Sequence, residues 1–270
     1  MKQRPNFFLL NLMLFGYAFL YAPIITLIAF SFNQSQVITT WTGFSFRWYH
    51  ELLSNKMILD AALLSLKIAF MTANFAVIIG TVGALVIVRF KTFRGKTLLN
   101  GLVTAPLVMP EIMSGLAILL LFVVLQQSVG WPQERGIATI TFGHITIAVA
   151  YVLVIIRTRL SEFDYHLEEA ALDLGAKPLT VFFRITLPLI MPSIISGWLL
   201  AFTLSLDDVV IASFLSGPGA TTLPMVIFAS VRFGLSPQIN ALATIIVSIV
   251  ATGVILAAWI NLKASKSIDR

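Results

Sequence analysis

The chain has no cysteine among its 270 residues. Disulfides, thiolate metal sites and cysteine nucleophiles are thereby excluded. Charge is scarce as well: 11% of residues are Asp, Glu, Lys or Arg, against 58% hydrophobic. A soluble domain carries roughly 25% charged residues. The 18 basic and 12 acidic side chains present here are too few to cover a globule of this length. Disorder is excluded by the same figures, since it needs low hydrophobicity and high charge. A mean hydropathy of +0.94 leaves a polytopic membrane protein. In such a protein the net charge of +6 reads as a topology signal rather than an affinity for nucleic acid.

A membrane-spanning helix needs about 20 mainly apolar residues. Six windows qualify: Phe7–Phe32, Leu63–Phe90, Leu98–Leu125, Ile137–Ile156, Ile190–Leu215 and Ile239–Leu262. The first is too long for a signal-peptide core and no small-residue cleavage site follows it, so it is expected to stay. Lys2, Arg4, Arg89, Lys91, Arg94, Lys96, Arg157, Arg159, Lys177, Arg184, Lys263, Lys266 and Arg270 fall on one side of a six-span threading. Arg47, Lys56, Lys67, Arg135 and Arg232 fall on the other. The positive-inside rule then places both termini and the even-numbered loops in the cytoplasm.

The expected fold is all-α, with six transmembrane helices in a single permease-sized domain over residues 1–270. The longest loop is about 30 residues, far below the ~100–150 of a typical domain, so no energy-converting domain fits. Gly95-Lys96-Thr97 has the ending of a phosphate-binding loop, but the glycine required five positions earlier is Phe90. Any ATP-driven work needs another chain.

The fourth loop, about residues 157–189, differs from the rest. It carries Glu162, Asp164, Glu168, Glu169 and Asp173 together with Leu167, Ala170, Ala171, Leu174, Leu179, Phe182 and Phe183 at helical spacing. Gly175 interrupts the pattern, and Pro178 suits the first position of a second helix. Two short amphipathic helices around a glycine turn are expected outside the bilayer. Their apolar face calls for a partner. A helix lying on lipid headgroups is the alternative, but so many acids oppose an anionic leaflet.

Within this loop stand Glu169-Ala170-Ala171, Gly175 and Ile185-Thr186-Leu187-Pro188. The spacing resembles the EAA signature of ABC-importer permeases, and all its positions match. Phe19-Leu20-Tyr21-Ala22-Pro23, Ser31-Phe32-Asn33, Arg47-Trp48-Tyr49, Ala105 to Glu111 and Leu204 to Asp208 further resemble the polyamine permeases of that family. Ser216 to Pro224 is most similar to the putrescine type. The resemblance implies a type I importer fold in a bacterial inner membrane. It implies that Glu169, Ala170, Ala171, Gly175, Ile185, Leu187 and Pro188 couple the chain to an ATPase. It also implies the partners: two ATPase subunits, a second similar permease and a periplasmic polyamine-binding protein. No cofactor would be bound by this chain; ATP and Mg would sit on the ATPase. The loops 33–60 and 216–238 would meet the binding protein, with Trp41, Trp48 and Tyr49 as contacts or as membrane-interface anchors.

Three acids fall inside the spans: Glu111, Asp207 and Asp208. Facing lipid, they would cost on the order of 8–10 kcal/mol together, comparable with a whole protein's stability. They are expected to face the interior or a water-filled path. Treated as continuous helices, the third and fifth spans put Glu111 and Asp207 at roughly 20 and 22 Å from the inner edge. Ser196, Thr203 and Asp207 form one stripe; Gly197, Ala201, Ser205 and Asp208 form an adjacent one of small residues. Carboxylates at one depth suit a diamine with an ammonium at each end. The candidate path is thus Glu111, Asp207, Asp208, Ser196, Thr203 and Trp198. The competing reading is structural, with Asp207 or Asp208 capping a helix break. Lys67, Asn74 and Thr81 line the path or a packing seam. His144 is expected to be a hydrogen-bonded structural residue.

The same machine could carry spermidine or another small solute. A secondary transporter would often show inverted repeats, and none is evident. An intramembrane hydrolase would need an activated serine; Gly-x-Ser-x-Gly is absent and no serine partner for His144 is evident.

Overall fold

The computed structural model describes residues 7–37, 40–90, 92–233 and 236–268, with side chains as far as residue 252 apart from that of residue 233. Lys2, Arg4, Lys91 and Arg270 of the charge pattern lie outside the described residues, as do the side chains of Lys263 and Lys266. The described residues form α1 (Phe7–Ser31), α2 (Arg47–Ser54), α3 (Lys56–Arg89), α4 (Lys96–Val108), α5 (Glu111–Val129) and α6 (Ile137–Ser161). They continue with α7 (His166–Asp173), α8 (Pro178–Val181), a π-helical turn (Phe182–Thr186), α9 (Leu187–Asp207), α10 (Val210–Leu215), α11 (Leu223–Phe233) and α12 (Pro237–Ile268). The expectation of an all-α polytopic fold holds. Among the described residues, five helical segments are long and apolar enough to cross a membrane: α1, α3, α5, α6 and the run Pro178–Asp207. The sixth expected window lies on α12, whose 32 residues reach about 48 Å.

Two windows differ from the sequence reading. The third is not one helix but two, α4 and α5. The cause is local. Pro110 disfavours helical backbone at the residue before it, and Met109 is extended (φ −74°, ψ 138°). Pro110 itself is extended and serves as the N-cap of α5. The fifth window also breaks, after Asp207, where Asp208 is extended (φ −67°, ψ 127°) and α10 follows. Depths counted along continuous helices therefore do not apply. The loops expected at 33–60 and 216–238 contain α2 and α11.

The chain divides into two compact units. Residues 60–228 form the larger one. Its axis is α6, buried through Ile140, Ala148, Val152, Leu153, Ile156 and Leu160. Ala73, Ala76, Ala84 and Ile87 of α3 and Ile190 and Ala201 of α9 pack against the same core. Missing side chains permit this approach. A Cβ on Gly80 or Gly83 would lie 2.8 or 2.7 Å from Val152 or Leu153, and one on Gly197 3.3 Å from Val152. The small-residue stripe of α9 is thus the face that meets α6. A second cluster joins Ile68, Phe122, Ile140, Ile211, Ala212 and Leu215.

The other unit comprises residues 1–59 and 229–270. In it α1 pairs with α12, and α2 packs on α12. Asn33 organises the turn after α1: its side chain donates to Thr40 O (2.8 Å) and accepts from Thr42 N (3.1 Å). Trp48 Nε1 donates to Asn33 O at 2.6 Å, and the Ser31 and Tyr49 hydroxyls are 2.7 Å apart. Trp48 is only 3% exposed, so it is a packed hinge-pin of this turn rather than a docking contact or interface anchor. Trp41, at 51% exposure, stays on the surface.

Candidate functional site

The two helix breaks deliver carboxylates. Glu111 opens α5, where a negative side chain complements the positive end of the helix dipole. Asp208 follows the last residue of α9, and its Oδ1 accepts the backbone N–H of Ala212 at 2.8 Å, holding the first turn of α10. Both acids line one cavity of about 270 Å³. Pro106, Pro110, Ser114, His144, Tyr151 and Ser205 share its wall.

His144 sits at the centre of a buried chain. Its Nδ1 lies 2.6 Å from Ser205 Oγ and its Nε2 3.2 Å from Asp208 Oδ1. Ser205 in turn donates to Thr72 Oγ1 of α3 at 3.4 Å. The expected hydrogen-bonded histidine is present. The expectation that it has no serine partner is corrected: Ser205 is that partner. Ser205 and Asp208 are three apart across the end of α9, which lets one imidazole reach both. The chain Thr72–Ser205–His144–Asp208 ties α3, α6 and α9 together at the level of the cavity. Networks of this kind fix side chains when every member is satisfied.

The other expected path residues lie elsewhere. Asp207 is exposed and does not line the cavity. Ser196 and Thr203 are exposed on the same stripe of α9, their hydroxyls bonded back to Pro192 O (2.9 Å) and Leu199 O (3.0 Å). Trp198 stacks on Phe202 at 5.2 Å and meets Phe70 edge-on at 6.0 Å. On α3, Lys67 is exposed, Asn74 donates to Phe70 O at 2.6 Å and Thr81 is buried. The structure therefore gathers Glu111 and Asp208 and leaves Asp207, Ser196, Thr203 and Trp198 outside the cavity.

The EAA loop forms a second site. Glu169, Ala170 and Ala171 lie on α7, and Gly175 turns the chain with φ +84°, a left-handed value that suits glycine. Pro178 opens the next helix as expected. That helix is not separate, however. It runs through the π-helical turn into α9, so Pro178–Asp207 is one continuous run. Ile185 lies in the π turn, where the N–H of Leu187 reaches back five residues to Phe182 O. Leu187 and Pro188 begin α9, and Pro188 has no N–H to continue the regular ladder. Leu167, Leu172, Leu174, Leu179 and Phe183 are between 44% and 89% exposed, an uncovered apolar surface.

Glu168 was not singled out from sequence, although it is the one buried residue of α7. Its Oε1 accepts Arg89 Nη2 at 2.5 Å and the Thr186 hydroxyl. Arg89 ends α3, and its guanidinium also lies over the Tyr165 ring at 5.7 Å.

Residues 75–269 match the family described as binding-protein-dependent transport system inner membrane component. The chain is 55% identical over 255 residues to the putrescine transport system permease protein PotI of Escherichia coli strain K12, covering 94% of this chain and 91% of that one. It is 41% identical over 259 residues to the spermidine/putrescine transport system permease protein PotC of Haemophilus influenzae, covering 96% and 98%. Among solved structures, a bacterial ABC transporter that imports the acidic polysaccharide alginate superposes with a TM-score of 0.70 at 16% identity, covering 96% of this chain and 97% of that one. The MetNI methionine ABC transporter superposes with a TM-score of 0.60 at 14% identity, covering 77% and 95%. The fold is that of ABC-importer membrane subunits, and the chain belongs to the binding-protein-dependent transport system inner membrane components.

Proposed function

We propose that this chain is the permease subunit of an ATP-driven polyamine importer, with putrescine as the principal solute. The observation that carries the reading is the cavity at the two helix breaks, lined by the carboxylates of Glu111 and Asp208. A diamine has an ammonium at each end, and two acids from separate helices offer one partner to each. The likeness to the putrescine permease over 94% of the chain supports the same solute. Asp208 has a second role as a helix cap, so the structural and transport readings of this residue coexist.

Residues 1–270 act as one permease domain, with both termini in the cytoplasm. A second permease covers the exposed stripe of Ser196, Thr203 and Asp207 and completes the path. Two ATPase subunits bind the apolar surface of the EAA loop and carry ATP and Mg. A binding protein delivers the solute on the opposite side. ATP binding closes the ATPases and opens the cavity outward; hydrolysis resets it. This chain binds and conducts and performs no covalent chemistry.

The test is uptake of labelled putrescine and spermidine by the reconstituted complex with binding protein and ATP. Putrescine uptake that depends on both is expected. An assembled, ATP-hydrolysing complex that moves neither polyamine contradicts the substrate assignment.

A further inference from the structure

Of the expected coupling residues of the EAA loop, Glu169, Ala170, Gly175 and Pro188 are exposed and Ala171, Ile185 and Leu187 half-buried; the buried group that ties the loop to the rest of the larger unit is a different one. We infer that Glu168 is the positioning residue of coupling: its single carboxylate links α7 to the end of α3 through Arg89 and to the α8–α9 run through Thr186. This rests on the reading of the loop as the ATPase-docking element.

Glu168 is the buried residue of α7. Every other residue of α7 is at least partly exposed, and Leu172 and Leu167 are 44% and 50% exposed. Apolar packing therefore holds α7 weakly. Glu168 is 5% exposed and Thr186 is fully buried. A carboxylate removed from water persists only when charge and hydrogen bonds satisfy it, and Arg89 and Thr186 supply both. Arg89 is the last residue of α3, so its charge also sits at the negative end of that helix. Thr186 closes the π turn, a kind of irregularity frequent at functional positions. Glu168 Oε1 joins α7 to both α3 and the run into α9 at a single buried atom, with the Arg89–Tyr165 ring contact beside it. Both helices also pack on α6, and α9 ends at Asp208 on the cavity wall. The route from the loop to the cavity is thus continuous along α9.

The test uses the complete complex carrying Glu168→Gln, Arg89→Gln, the double change, and the reversed pair Arg89→Glu with Glu168→Arg. Three quantities are read: ATPase subunit retained after purification, ATP hydrolysed, and putrescine taken up. Glu168→Gln is expected to retain the ATPase subunit while uptake per ATP falls about tenfold. The double change is expected to be no worse than either single one, because the two act as a unit. The reversed pair is expected to recover part of the loss. Uptake per ATP unchanged in Glu168→Gln overturns the inference. So does a fall in uptake that only tracks loss of the ATPase subunit. If the wild-type chain itself holds no ATPase subunit, the docking reading fails instead.

Discussion

Glu111 and Asp208 line the same cavity yet are held differently. Asp208 is bonded to His144 and to the N–H of Ala212, so its geometry is fixed. Glu111 stands exposed at the start of α5. Glu111→Gln therefore removes a charge without removing a cap. A hydrogen bond to a charged group contributes about 1.5–3 kcal/mol, so putrescine affinity is expected to fall roughly 10–100-fold. Asp208→Ala, which unlike Asp208→Asn leaves no oxygen to accept the Ala212 N–H, is expected to lower thermal stability as well, by a few °C, since a cap contributes about 1 kcal/mol. A melting curve identical to wild type contradicts the capping role. A third acid, Glu51 of α2, has its pKa held below the usual carboxylate value by hydrogen bonds from Arg47 and Gln238. A carboxylate with a depressed folded pKa stabilises the fold above its ordinary pKa, and that contribution is lost as pH falls through the folded value. The pair is partly exposed, so the effect is small. The melting-temperature deficit of Glu51→Gln, on the order of 1 °C at pH 7, is expected to begin shrinking as pH falls past the ordinary carboxylate value, about 4.3, and to vanish only below the depressed folded value. A deficit that persists in acid contradicts it.

The helices divide into those legible from sequence and those that are not. Apolar windows announced α1, α3 and α6 because their periodicity is set by lipid and core alone. At the break before α5 a proline, Pro110, stands in the sequence, but a proline alone does not say whether it bends one helix or separates two. Nothing comparable marks the break at Asp208: no proline or glycine stands there, and the cause is a side chain that caps the following helix. The acids were legible as expensive in an apolar chain, but which of them share a cavity depended on those breaks. Glu168 escaped notice because five acids in one loop look alike until burial separates them. Gly217 is a test of close approach between segments: a Cβ there would lie 2.1 Å from the backbone oxygen of Arg135. Backbone cannot step aside as a side-chain tip can. Gly217→Ala is expected to reduce folded yield several-fold, whereas Gly101→Ala, with nothing within 4 Å, is expected to be neutral or stabilising. Equal yields from both, measured by size-exclusion recovery in detergent, contradict the packing of 216–220 on Arg135.

For the whole chain, scarcity of charge is the organising fact. Basic residues cluster in particular loops, an acid anchors the EAA loop, and two acids enter a cavity inside an apolar body. That distribution fits a subunit that draws energy from a partner and offers a cationic solute a path. Uptake of labelled putrescine by the reconstituted complex, wild type against Glu111→Gln, tests this most directly. The account predicts uptake that requires ATP and binding protein, reduced at least tenfold by Glu111→Gln at sub-saturating putrescine with the ATPase subunit still bound. Undiminished uptake through an assembled Glu111→Gln complex contradicts it.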